Sequence, residues 1–531
     1  MKTYRSYQPR QGFLLPPSPL DWLPEDHLAL FLMDTVQELD LSAITAYYER
    51  ERRGFPPHDP LMMVTLLLYA YCVGVPSSRK IEQRTHEDIG FRVVAGNTHP
   101  DHSCISEFRR IHLAALSGLF VQVLRLCQRM GLVKLGVVAL DGTKLKANAS
   151  KHKAMSLGRM NQAEQELQKK VQALLAEAEQ TDSQEDATHG RGRRGDELPE
   201  ELRRAQSRLE RIQKAKAELL AEATAQQQEK QESAQEDAQV AAVLAERERI
   251  EVAQTLTEGA SAAPSVPESS DEAKPPRGPG GLPRNRVPVG KDGQPTDKAQ
   301  RNFTDPESRI CKTQGGYVQG YNGQLVVDGG EHQIIVAQGL SNQSPDAEYF
   351  VPMMDRTIEG TQAVPKVGLA DAGYLSERNL LGALSRGIDA YIAPGRMPHG
   401  MDNSSTETEA DSRAKAEMKR KLSSPEGEAQ YRRRKAIVEP VIGQIKNRGL
   451  GELLLRGLEK AEGEWALITL SHNLLKLHKA RSRPASQPRP PCGVKPAVRN
   501  APNTRRSPQI FRAARHFLRV SSHSTPTARA A

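Results

Sequence analysis

The chain lacks an apolar run long enough to span a membrane. Its longest uncharged apolar stretch, Leu61 to Val75, has fifteen residues, against the ~20 that a transmembrane helix needs. A buried core helix is expected there, and no membrane partner. Cysteine is sparse and unpatterned: Cys72, Cys104, Cys127, Cys311 and Cys492 form no CxxC pair. That spacing argues against a thiolate metal site or a disulfide framework and for reduced thiols. The opening residues, MKTYRSYQPRQGF, carry no apolar signal region, so a cytoplasmic protein is expected. Histidine is placed no better for metal, because neither His102 nor His112 has a second ligand at metal spacing. Acid is missing altogether from Arg481 to Ala531, which holds 11 Lys and Arg.

The 531 residues carry a net charge of +9, very unevenly. Asn161 to Ala260 contains 22 acids and 14 bases, a net of −8, so the remainder carries +17. Basic flanks around an acidic middle predict a polyanion partner, with the middle segment held away from it. The basic tail, residues 481–531, is expected to be disordered and to add nonspecific affinity for that partner.

Residues 15–130 read as a helical domain. Asp59-Pro60 and Pro100-Asp101-His102-Ser103 are helix starts, and Ile105 to Met130 carries apolar residues at helical spacing. Arg79, Arg84, Arg109 and Arg110 lie beside helix starts or turns, as in a helix-turn-helix reader of DNA. Residues 131–154 hold the run LVKLGVVALDGTKLKANAS, in which a buried strand ends at Asp141-Gly142. Lys144 and Lys146 follow on one side of the extended chain and would contact phosphates. Met160, Leu167 and Leu174 repeat every seven residues, and Leu202, Ala205, Leu209, Ile212 and Leu219 follow a 3-4 spacing. Residues 155–258 are therefore expected to form an antiparallel coiled-coil hairpin inserted into the domain. A Pro- and Gly-rich linker is expected over 259–302. In 303–480, GYNGQLVVDGG and HQIIVAQGL read as a hairpin. A second apolar strand, Val364 to Ala370, again ends in an acid, Asp371. Ser376 caps a helix, Ile388 to Ala393 is a strand, and a polar loop runs to Pro425. Two helices follow, Glu426 to Lys446 and Glu464 to Lys479.

With the insert and linker set aside, the order is three strands, then helix, strand, helix, strand, helix. That is the order of a ribonuclease-H-like mixed sheet, and the predicted fold class is multidomain α/β with an all-α N-terminal domain and a helical insertion. The first and fourth strands of such a sheet are neighbours, so Asp141 and Asp371 would converge beneath a helix carrying Glu439. Three carboxylates suit two divalent ions about 3.5–4 Å apart, the arrangement that cleaves or transfers a phosphodiester in line. On that helix Tyr431, Lys435, Glu439 and Lys446 fall within about 80° of arc, opposite Ile437, Val438, Val441, Ile442 and Ile445.

Several segments together resemble a family, the bacterial insertion-sequence transposases of the DDE class. They are LDGTKLKANASKHKAM, NFTDPESRICKTQGGYVQGYNGQLVVD, LADAGYLSE, YRRRKAIVEPVIGQIK and GEWALITLSHNLLKL, preceded by LLLYAYCVGVPSSRKIE and PDHSCISEFRRIH. The resemblance spans roughly residues 15–480. It implies that Asp141, Asp371 and Glu439 bind two Mg²⁺ or Mn²⁺ ions. It also implies a tyrosine–arginine–glutamate–lysine signature made by Tyr431, Glu439, Lys446 and a basic residue, Arg434 or Lys435. Terminal inverted repeats and target DNA are the implied partners, with a homodimer in the DNA complex and a cytoplasmic, nucleoid-associated location. Two alternatives stand beside this one: a metal-dependent nuclease of the same fold, and a transposase-derived DNA-binding protein without catalysis.

Overall fold

Val137 to Leu140 is an unbroken apolar run, and it lies in the middle of the molecule. In the computed structural model, which describes residues 18–50, 56–189, 200–255, 281–313, 315–395 and 413–482, it opens strand β1 (Val137–Lys146). Val138, Ala139 and Leu140 are wholly buried. β1 does not turn at Asp141-Gly142. It continues to Lys146, antiparallel to β5 (Gly316–Asp328), with Asp141 opposite Leu325 and Lys146 opposite Gly320. The Asp-Gly pair is held extended because β5 supplies ladder partners along its full length. On its other edge β1 runs parallel to β7 (Val367–Ala370), which runs parallel to β8 (Asp389–Ile392). The sheet order is β4-β5-β1-β7-β8, with β4 (Arg309–Thr313) and β6 (Ile335–Ser341) both pairing with β5. The hairpin expected from the alternating runs is β5–β6.

Among the described residues seven α-helices precede the sheet: α1 (Leu28–Val36), α2 (Ser42–Glu49), α3 (Pro60–Cys72), α4 (Ser78–Glu87), α5 (Ile89–Val94), α6 (His102–Ile111) and α7 (Leu113–Arg129). α3 is the expected buried helix; Asp59 Oδ1 caps it by accepting from Leu61 N at 2.7 Å. The single helix expected over Ile105 to Met130 is two helices bent by 71° at His112. His112 leaves helical dihedrals and is buried with its Nε2 3.0 Å from the Tyr48 hydroxyl. No single described helix is long and apolar enough to cross a membrane.

The insert is a pair of helices, α8 (Leu157–His189) and α9 (Glu200–Thr255). They run antiparallel, since Glu164 meets Gln213 and Lys216 while Lys170 meets Glu201. The expected linker runs too late at its far end. α9 is helical to Thr255, and residues 281–302 are packed structure. Leu282 joins the main core, and Val287 and Ala299 close a second core with Met160, Ile212 and Leu219. Strand β2 (Ala154–Ser156) pairs with β3 (Gln300–Asn302) at the insert's base. Residues 259–280, the rest of that linker, lie outside the described residues, as does the tail from residue 483.

Among the described residues five helices complete the fold: α10 (Phe350–Thr361), α11 (Glu377–Ser385), α12 (Arg413–Ser423), α13 (Pro425–Asn447) and α14 (Leu458–Arg481), of which α12 lies inside the stretch expected to be loop. α12 forms because Met418 and Leu422, one turn apart, are both buried. α14 is buried around most of its circumference, and its polar groups are paired. Asn473 both donates to and accepts from the backbone of Ile335, at 2.8 and 2.9 Å. Trp465 seats against Gly323, where an added Cβ would come within 3.1 Å of its ring.

One buried group joins α14 to the N-terminal helices. Glu464, wholly buried, accepts from Leu454 N and Leu455 N at 2.8 Å each and from the Tyr71 hydroxyl at 3.4 Å. Arg109, expected to contact DNA, belongs to the same cluster: it is buried and donates to the Tyr71 hydroxyl, Pro76 O and Ser78 Oγ. Its place on the inner face of α6 makes it a strut between α3, α4 and α6. Arg110 remains exposed, paired with Glu107. Glu464→Ala would leave two amides and a hydroxyl without their acceptor in the interior. The expected loss is about 3 kcal/mol, at ~1–3 for each buried donor left unmet, seen as a lowered denaturant midpoint, with Glu464→Gln losing distinctly less.

Candidate active site

Two acids meet because the parallel pairing of β1 with β7 stops just short of both. The last β1–β7 partners are Ala139 and Leu369. Two residues on, the same register sets Asp141 beside Asp371, at the carboxyl end of β7, where open α/β sheets place ligands. Asp371 caps the next turn by accepting from Gly373 N at 2.9 Å. Asp141 Oδ1 accepts from Gly142 N at 2.8 Å, and its Oδ2 takes a 3.0 Å hydrogen bond from Arg434 Nη1.

Arg434 comes from α13, which starts at the Ser424 cap and Pro425. Ile437, Val438, Val441 and Ile445 are buried and draw the helix down onto the sheet. Arg434 lies three and four residues before Ile437 and Val438, so it falls on the same stripe and is 7% exposed. Its other terminal nitrogen is 3.8 Å from Glu439 Oε1. Tyr431, one turn earlier, is half-buried and within the influence of the Arg434 charge. Of the two candidates for the basic position, Arg434 is the one at the acids. Lys435 is a further ~100° around the helix and is exposed, as is Lys446 at the helix end. The face expected to carry Tyr431, Lys435, Glu439 and Lys446 together is therefore split, with Arg434 taking the inward place.

The electrostatics follow from burial. Loss of water pushes the Asp141 carboxyl up to about 6, with the Arg434 guanidinium opposing the rise and the Asp371 charge adding to it. Burial also raises the Tyr431 hydroxyl, against the pull of Arg434. Arg434 Nε is buried without a hydrogen-bond partner. No group of three acid, His or Cys side chains among the described residues is gathered tightly enough to hold an ion. Instead the Arg434 guanidinium bridges Asp141 and Glu439, occupying the cationic place between them.

A fourth acid stands close by, with nothing in its sequence neighbourhood to single it out. Asp346 Oδ1 accepts from Asn322 Nδ2 at 2.7 Å and Gln324 Nε2 at 3.0 Å. A Cβ on Gly142 would lie 3.1 Å from that oxygen. Tyr374, buried, donates its hydroxyl to Gln324 Oε1. Lys144 is 3.6 Å from Asp346 and donates to Ser344 O at 2.8 Å. It is thus tied into this polar cluster, while Lys146 lies exposed against Glu452 at 3.0 Å. Asp346 sits in a plain polar loop, SNQSPDAEY, with no periodicity to mark it.

The raised Asp141 carboxyl has a stability consequence. The folded state holds that proton more tightly than the unfolded chain, so stability present below the ordinary carboxylate range is lost as pH rises through about 6. Asp141→Asn escapes this loss. In metal-free buffer the variant is expected to be more stable than wild type by about 2 kcal/mol at pH 8, with the gap closing towards pH 4. Parallel denaturant titrations across that range check it.

Two family models match this chain. One described as a transposase domain (DUF772) matches residues 18–110, and one described as a transposase DDE domain matches residues 289–474. No curated protein and no solved structure matches. The second match covers Asp371 and Glu439 but starts beyond Asp141, whose strand reaches that domain through its pairing with β5 and β7.

Proposed function

Since the chain belongs to the insertion-sequence transposases of the DDE class, we propose that it binds the terminal inverted repeats of its element. In this reading a dimer cuts the DNA there and joins the freed 3′ hydroxyls to target DNA. Asp141, Asp371 and Glu439 are the acids of the reaction. The observation that carries this reading is the junction of Asp141 and Asp371 on adjacent parallel strands beneath the helix of Arg434 and Glu439. A sheet running β6-β5-β1-β7-β8, three antiparallel strands followed by two parallel ones, supports a ribonuclease-H-like catalytic core.

The donor set suits a hard divalent ion. Its members are carboxylate oxygens, and a cation already stands between two of them in the form of Arg434. A bound Mg²⁺ or Mn²⁺ would activate water and offset charge on the leaving oxygen. The chain's own residues do the rest. Asp141 is held in one orientation by Gly142 N and Arg434. Arg434 keeps positive charge where a phosphate would enter. Tyr431 steadies Arg434, and exposed Lys435 and Lys446 are free to meet flanking phosphates, which fix register without reading sequence.

Glu439→Gln tests the proposal. Glutamine keeps the length and one carbonyl oxygen, and Glu439 is half exposed, so α13 should stay in place. Divalent-ion-dependent nicking of an end-containing duplex should fall at least about 10³-fold, with gel-shift affinity for the same duplex changed little. Equal nicking by variant and wild type removes Glu439 from the chemistry. A wild type that binds the ends but fails to nick them, whichever divalent ion is supplied, supports the non-catalytic DNA-binding alternative.

A further inference from the structure

The insert is acidic in total, yet its base carries a basic stripe. On α9, Arg203, Arg208, Arg211 and Lys214 follow a spacing close to one helical face. All four are exposed, and none forms an ion pair with another described residue. They line a groove of about 1220 Å³ together with Lys153 and Arg456. The acids that line this groove are paired, Glu200 with Arg204 beside the stripe and Glu218 with Arg301. Glu218 and Glu222 hold Arg301 at 2.9 and 2.8 Å, and Glu222 also holds Arg309 at 3.1 Å. Those pairs, with the buried Ile212 and Leu219, fix α9 against β3 and β4. The stripe is thus presented by a braced helix.

The groove continues towards the acids. Lys153, Thr304 and Arg456 also line an adjoining cavity of about 540 Å³ that reaches Lys146, the last residue of β1. Asp141 lies five residues back along that strand, about 16 Å at ~3.3 Å per residue. From Arg203 to Lys214 the stripe covers a similar length, about 16 Å of helix. Each span matches roughly five steps of a duplex rising ~3.4 Å per base pair. We infer that this groove, together with the adjoining cavity, seats the sugar–phosphate backbone of duplex DNA, beginning at Lys146, about five base pairs from the phosphate being cut. Unpaired cationic groups spread along one helix match a phosphate row in charge. The base of the insert is then a DNA clamp, against the expectation from its net charge that the insert is held off DNA. The inference rests on the reading that the chain acts on DNA, and it can fail separately.

The test uses the full-length protein and a duplex of arbitrary sequence, with anisotropy-based affinity measured across a salt series. Replacing Arg203, Arg208 and Arg211 with Gln, together with Lys214→Gln, should lower the slope of log affinity against log salt by about 3 to 4, at ~0.9 for each phosphate no longer neutralised. A second variant, with Arg203, Arg208 and Arg211 each changed to Lys, should keep most of the slope, which separates an effect of charge from an effect of folding. Matching melting curves for all forms confirm the braced base. An unchanged slope in the Gln variant overturns the clamp while leaving the acids' role untouched. So does a change in oligomeric state without a change in slope, because the groove would then hold a protein segment. An equal fall in slope in the Lys variant also overturns it. A wild type that keeps its slope but never nicks would count against the catalytic reading alone.

Discussion

The contact between Asp141 and Arg434 is the one on which the site depends. It is the only direct link that the acids of the sheet make with α13 among the described ion pairs, and it fixes both the depth of that helix and the orientation of a carboxylate that would otherwise be poorly solvated. A buried ion pair of this kind is weak evidence for stability, because desolvating two charges costs about as much as their attraction returns. Arg434 Nε even goes without a partner. A pair that stabilises so little, in a place where apolar side chains would pack as well, is better understood through what it holds ready: negative oxygens at a strand end with a cation already among them.

Much of this is legible in the sequence, and the reasons are specific. The runs ending at Asp141 and Asp371 are apolar on both faces, which marks strands buried within a sheet, and the two acids stand out against them. The β5–β6 hairpin is announced by Asp-Gly-Gly between alternating residues. The phase of α13 is harder to read. Both Arg434 and Lys435 satisfy a rough spacing, and only the stripe of Ile437, Val438, Val441 and Ile445 separates them, by one residue's rotation. Arg109 misleads for a related reason. An arginine near a helix end reads as solvent-facing unless the hydroxyls and carbonyls that surround it are known, and those come from Tyr71, Pro76 and Ser78 on other helices.

The stretch that reads as linker shows how composition misleads when it is averaged. Proline and glycine are frequent from residue 260 onward, but Leu282, Val287 and Ala299 are each placed to fill a gap, and three apolar residues in twenty are easily lost in such a background. Net charge conceals in the same way. An acidic total over a hundred residues says nothing of a turn-by-turn basic row on one face of one helix. Asp346 is the opposite case, an acid with no local distinction at all, made notable only by Asn322, Gln324 and Lys144 arriving from other strands.

The short β2–β3 pair has a consequence for how the chain folds. The register that brings Lys146 opposite Gly320 closes a loop of about 170 residues, and an open chain of that length makes a slow and entropically costly partner. Ser156 facing Gln300, backed by α8 and α9, closes most of that loop first. Only about 25 residues are then left between the strand ends, which lowers the remaining closure cost by about 2 kcal/mol. The insert would thus assemble before the sheet, as a local helical unit that delivers β5 to a waiting β1. A long interruption within a catalytic domain becomes tolerable when it carries its own clasp.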